Sequence, residues 1–71
     1  MTEARYSVPE MHCGACESSI RRALRAVPGI AQVEVDLAGK RVSVRFEDGL
    51  TSAAAIRERI EDAGFDAAPV P

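Results

Sequence analysis

Cys13 and Cys16 stand three positions apart in the stretch Met11-His12-Cys13-Gly14-Ala15-Cys16, just ahead of a helical run. Thiols at that spacing suit four chemistries: a disulfide, thiol redox exchange, part of a zinc site, or a port for a soft metal ion. A Cys13–Cys16 disulfide would close a very short loop and constrain the unfolded chain little, so stability is a poor reason for it. A structural zinc site takes four ligands, typically Cys and His, whereas the chain offers these two cysteines and a single histidine, His12. One chain alone cannot close such a site.

A thiol-disulfide oxidoreductase also carries a thiol pair at a helix N-terminus, where the thiol pKa is lowered. Thioredoxin-like domains are larger, however, and their motif follows a strand buried on both faces; the strand ahead of Cys13 alternates instead. Two thiolates on an open loop with few other donors suit a soft, low-coordinate ion such as Cu(I) best. Partial positive charge at the helix N-terminus favours thiolate over thiol, so the ligands are ready near neutral pH. Gly14 and Ala15 keep the intervening backbone compact and leave room for an incoming thiolate from another protein.

The neighbours of the pair carry paired readings. Met11 is expected to fill the gap between loop and core, with its thioether as a ligand in the alternative. His12 is either an auxiliary third ligand or proton-linked modulator, or an exposed bystander. Phe65 is assigned to the core, with a lid over the thiols as the alternative, and Tyr6 to the core alone. Arg21, Arg22 and Arg25, with Glu17, leave a locally positive surface near the loop. Such charges are ordinarily a solvated face; if a partner docks over the loop they would steer an acidic one.

These residues need a scaffold, and the hydrophobic pattern supplies one. Arg5-Tyr6-Ser7-Val8 alternates with the period of a half-buried strand that Pro9 ends. From Cys16 onward Ile20, Ala23, Leu24 and Val27 form one helical stripe, stopped by Pro28-Gly29. Ala31, Val33 and Val35, then Val42, Val44 and Phe46, mark two alternating strands. The short link Leu37-Ala38-Gly39-Lys40 predicts an antiparallel hairpin between them. A second helix is predicted with Thr51 as its cap, Ala53, Ile56, Ile60 and Ala63 on one face and Gly64 at its end. A last strand runs from Phe65 to Val70, and Pro69 and Pro71 suggest a frayed tail. The order strand, helix, strand, strand, helix, strand is the ferredoxin-like βαββαβ sandwich of the α+β class: a four-stranded antiparallel sheet with both helices on one face.

Composition bounds the function. The 71 residues (1–71) are the length of one small domain with a thin core. Nine Lys and Arg against eleven Asp and Glu give a net charge of −2, which lacks the positive field that phosphate binding needs, so no nucleic-acid partner is expected. Neither a signal-peptide stretch nor a run of eighteen apolar residues occurs, so no membrane insertion and a cytoplasmic location are expected. In that reducing compartment two cysteines point to metal binding or redox work rather than a structural staple.

The stretch Met11-His12-Cys13-Gly14-Ala15-Cys16, following a first strand and opening a helix, resembles the MxCxxC signature of heavy-metal-associated domains. Pro28-Gly29-Ile30, the alternation of Val33 and Val35, and Ile60-Glu61-Asp62-Ala63-Gly64-Phe65 are similar to that family's other segments. The family includes small copper chaperones, N-terminal metal-binding domains of copper-transporting P-type ATPases, and relatives that handle zinc, cadmium or mercury. The resemblance implies one heavy-metal-associated domain over residues 1–71 that binds Cu(I) through Cys13 and Cys16, and it implies no catalytic residues. It further implies transfer by ligand exchange to the metal-binding domain of a copper-transporting P-type ATPase, with a metal-bridged homodimer open to the loaded form. Members favouring zinc or cadmium often carry Asp where His12 stands, which again points to Cu(I). Glu10 stands where the family usually has Gly, implying a stiffer and more negative approach to the loop. Phe65 occupies a position where bacterial chaperones often have Tyr and ATPase domains often have Phe.

Overall fold

The structure, a computed structural model, describes residues 1–70. Its elements are β1 (Thr2–Ser7), α1 (Gly14–Arg25), β2 (Ile30–Asp36), β3 (Arg41–Phe46), α2 (Ala53–Asp62) and β4 (Ala68–Val70). The strands form one antiparallel sheet in the order β2-β3-β1-β4. The predicted βαββαβ order and ferredoxin-like architecture are therefore present.

The alternation in β3 explains the layering. Val42, Val44 and Phe46 turn inward and are buried, joining Tyr6 and Val33 from the flanking strands. Ile20 and Leu24 from α1 and Ile56 and Ile60 from α2 close the same cluster, which puts both helices over one face of the sheet. Each such buried aliphatic side chain contributes about 1.5 to 3 kcal/mol of hydrophobic stabilisation. The opposite face is polar. There Arg45 sits in register with Glu3 and Arg41 with Asp36, opposite charges that favour this pairing over a slipped one.

Several boundaries differ from the sequence reading, each for a local reason. β1 starts at Thr2 rather than Arg5, because its pairing with β3 extends from Ser7 and Arg41 to Thr2 and Phe46. Val8 lies just past β1, its N–H donating to the Lys40 carbonyl at 2.8 Å. α1 starts at Gly14, not Cys16, and Val27 lies beyond its end, in a turn whose N–H returns to the Leu24 carbonyl at 3.0 Å. In β2, Ile30 faces Phe46 and Gln32 faces Arg45, so Ala31 is the extra residue of a bulge. Ala31 is exposed as a result, and Ile30 packs on the core instead. The left-handed residue of the hairpin is Lys40, at φ +55, not its glycine.

The cap of α2 is Ser52, whose hydroxyl accepts the Ala55 N–H at 3.2 Å, and not Thr51. Ala53 is consequently exposed rather than core-facing. At the other end Gly64 takes φ +99, and the Gly64 and Phe65 N–H groups return to the Glu61 and Ile60 carbonyls at 2.9 and 3.3 Å. This is the Schellman pattern, which places Phe65 back against the helix it follows. Phe65 and Asp66 are thus used by the turn, and β4 is reduced to Ala68–Val70, with Pro69 inside it; Pro71 lies outside the described residues.

Candidate metal centre

The loop bearing the thiols is held at both ends. Ahead of it, Val8-Pro9-Glu10-Met11 is a β-turn closed by the Met11 N–H to the Val8 carbonyl at 3.1 Å, with Pro9 at the position where its fixed φ suits the turn. Glu10 has no positive φ, so a side chain is accommodated there without strain. Met11 is 0% exposed and belongs to the core cluster, so it pins the loop from beneath, as the packing reading of this residue requires. Behind it, Cys13 is the N-cap of α1 with extended backbone (φ −151, ψ 172), and the Glu17 N–H closes the first helical turn on the Cys13 carbonyl at 3.2 Å.

That geometry brings the predicted pair together. Cys13 is exposed, Cys16 is partly buried against the core edge, both are free, and their sulfurs lie 3.5 Å apart. The separation is well beyond a disulfide bond of about 2.05 Å and within the span of two metal–thiolate bonds of about 2.3 Å each. Gly14 has nothing within 4 Å of where a Cβ would stand, so the space beside the pair is open.

The Cys13 thiol pKa lies below its ordinary value. The main cause is the Cys16 N–H at the helix N-terminus, followed by the Cys16 thiol and the Ala15 N–H. These N–H groups lie too loosely to make a capping hydrogen bond to the sulfur, and they act through their field. Glu17, the acidic residue of the first turn, is occupied by Arg21 at 2.9 Å.

The remaining candidates are spread around this centre. His12 is exposed on the loop beside Cys13. Phe65 is half-buried and packed on the core edge, in keeping with its assignment as a core residue. Tyr6 is buried, and its hydroxyl donates to the Ala53 carbonyl, tying β1 to the start of α2; burial raises its pKa and the Arg57 charge partly offsets this. Arg21, read from sequence as part of a surface patch, also donates to the Val33 carbonyl at 3.1 Å and so fastens α1 to β2. Arg22 and Arg25 remain exposed.

Sequence reasoning missed one contact of the loop altogether: the Glu10 carboxylate accepts the Asp66 N–H at 3.0 Å. Partners 56 positions apart leave no local signal in the chain. Among the described residues no group of three or more His, Cys, Asp or Glu that could hold a metal ion occurs, and the thiol loop presents two sulfurs side by side. Two thiolates fit a soft ion better than a hard one. A concavity of about 750 Å³ lies elsewhere, between α2 and the β1–β4 edge, with Tyr6, Ala53, Arg57 and Val70 in its lining. None of its lining residues belongs to the thiol loop.

Comparison with known proteins places this geometry. A copper-transporting ATPase of rice, HMA4, is 43% identical over 63 residues, which are 89% of this chain and 6% of that protein. The copper chaperone CopZ of Staphylococcus aureus is 33% identical over 66 residues, 93% of this chain and 97% of the chaperone. The chain thus spans a small part of the one relative and nearly all of the other. Among solved structures, the copper-binding domain of the P-type ATPase HMA7 superposes with a TM-score of 0.95 at 37% identity, covering 100% of this chain and 96% of that one. Oxidized MerP from Ralstonia metallidurans does so at 0.92 and 28%, covering 99% of this chain and 97% of that one. The family model of the heavy-metal-associated domain matches residues 5–66, and the chain belongs to that family.

Proposed function

We propose that this chain, a single heavy-metal-associated domain over residues 1–71, binds Cu(I) through Cys13 and Cys16 and passes it by thiolate exchange to the metal-binding domain of a copper-transporting P-type ATPase. The observation that carries the reading is the pair of free thiols 3.5 Å apart at the start of α1, open to solvent on the Gly14 side. Copper relatives among both chaperones and ATPases support copper as the cargo. Cytoplasmic residence and a carrier rather than an enzyme belong to the same reading.

The residues divide the work. Cys13, whose pKa is lowered at the helix end, and Cys16 supply two sulfur ligands to the ion. Met11 supports the loop from the core and leaves the sulfur pair as the donors, while His12 stays at the periphery as an auxiliary donor. In transfer, an incoming thiolate of the partner forms a new sulfur–copper bond and one original bond then breaks. The departing cysteine keeps its electron pair and is free to take a proton. Copper stays monovalent throughout, so no oxidant or reductant enters. Arg22 and Arg25 are exposed in the last turn of α1, the helix end away from the thiols, and are left to long-range steering of an acidic partner.

A second reading, an N-terminal domain of such an ATPase, is favoured by Phe65 and by the 43% identity to the rice ATPase. The length of the native reading frame separates the two. The copper claim itself is tested by chelator competition with the parent beside Cys13→Ser and Cys16→Ser. Both variants are expected to lose tight Cu(I) binding and keep the fold. Unchanged affinity in either would remove that residue from the site.

A further inference from the structure

We infer that Glu10 is a strap that restrains the thiol loop and slows release of its cargo; this rests on the copper reading above. Two turns meet at the Glu10 side chain. One is the turn that leads into the loop, closed by the Met11 N–H on Val8. The other ends α2, where the Gly64 and Phe65 N–H groups are spent on the Glu61 and Ile60 carbonyls. The Asp66 N–H is the next donor along the chain and lies outside that capping pattern. Glu10 reaches across from a position 56 residues away in sequence to accept it at 3.0 Å.

The consequence is mechanical. Phe65 packs on the core edge and Ala67 is buried, so Asp66 is held between two anchored residues. Met11, next to Glu10, is anchored in the same core. Glu10 therefore joins the loop's leading turn to a fixed point in the turn that follows α2, an additional restraint on local opening. Exchange requires the loop to admit a third thiolate, and a strapped loop yields more slowly. The carboxylate is exposed, so its replacement leaves the core intact.

Two variants isolate the strap. Glu10→Ala removes the acceptor, and Glu10→Gln keeps an acceptor oxygen while removing the charge. In the metal-free protein, hydrogen exchange at the Asp66 amide is expected to quicken about fivefold in Glu10→Ala, the ratio set by one ordinary net hydrogen bond, and to stay within about twofold of the parent in Glu10→Gln. In the Cu(I)-loaded protein, removal of copper by excess bicinchoninate is expected to quicken about three- to tenfold in Glu10→Ala and to be restored in Glu10→Gln. Unchanged Asp66 exchange in Glu10→Ala overturns the strap. Faster exchange with unchanged copper removal overturns its role in release, and a Glu10→Gln variant that behaves like Glu10→Ala assigns the effect to charge and also overturns it. Failure of the parent to bind Cu(I) overturns the copper reading and the release claim together, and amide exchange then decides the strap alone.

Discussion

Replacing Met11 separates support of the loop from ligation of its cargo. The side chain is 0% exposed and sits in the core cluster beneath the thiols. Truncation to Ala removes a buried thioether chain and leaves a cavity, a change that costs about 2 to 5 kcal/mol. A domain of 71 residues has about 4 to 10 kcal/mol of stability in all, so the loss is a large fraction of it. At about 4 to 8 °C per kcal/mol for a domain of this size, a mid-range loss of about 3 kcal/mol lowers Tm by about 12 to 24 °C. Met11→Leu keeps the volume and costs less than about 1.5 kcal/mol, while deleting the sulfur. Calorimetry of both variants, with Cu(I) affinity measured on Met11→Leu, is the assay. The expected pattern is a large fall in Tm for Ala, a small one for Leu, and Cu(I) affinity within about threefold of the parent for Leu. A tenfold loss of affinity in a well-folded Met11→Leu would refute the packing role and make the thioether a ligand; a negligible fall in Tm for Met11→Ala would refute the burial.

Three further outcomes follow from the same contacts. Ser52→Ala is expected to destabilise by about 1 kcal/mol in urea titrations, through loss of the bond to the Ala55 N–H, and Thr51→Ala by less than about 0.5 kcal/mol; the reverse order would return the cap to Thr51. Gly64→Ala is expected to cost about 1 kcal/mol or more, because φ +99 is open to glycine and strained for alanine, and an unchanged urea midpoint would contradict the left-handed turn after α2. The folded state favours the Cys13 thiolate, so iodoacetamide alkylation of Cys13 should rise with pH through a midpoint below that of the unfolded protein and fade as pH drops beneath it; unfolding in urea should move the midpoint up, and a folded midpoint at or above the unfolded one would contradict the lowering at the helix end.

What could be read from the chain beforehand depended on how local the determinant was. The alternation of Val42, Val44 and Phe46 is a property of one strand, and the buried face follows from it directly. The thiol spacing is equally local, and placing the pair at a helix N-terminus needed only the turn residues and the first helical stripe. Ala31 misled because a bulge adds one residue without a compositional mark: the apolar residue in phase with Val33 turns outward and Ile30 takes its place. Thr51 and Ser52 are adjacent hydroxyl residues, and the structure uses Ser52, the stronger N-cap type, whose hydroxyl accepts the Ala55 N–H.

The last strand is shorter than its residue pattern predicts, because Gly64 starts a turn that claims Phe65 as well. At the site, the packing of Met11 is expected from the sequence and its burial agrees, whereas the bond from Arg21 to the Val33 carbonyl required the third dimension. The contact between Glu10 and Asp66 joins opposite ends of the chain, which no window of sequence spans.

X-ray absorption at the copper edge of the Cu(I)-loaded protein tests the central claim most directly. Two sulfur scatterers per copper in the parent, at thiolate distance, and loss of that shell in the Cys13→Ser/Cys16→Ser double variant are the expected results. A first shell of nitrogen or oxygen in the parent, or a sulfur shell that survives in the double variant, would contradict it.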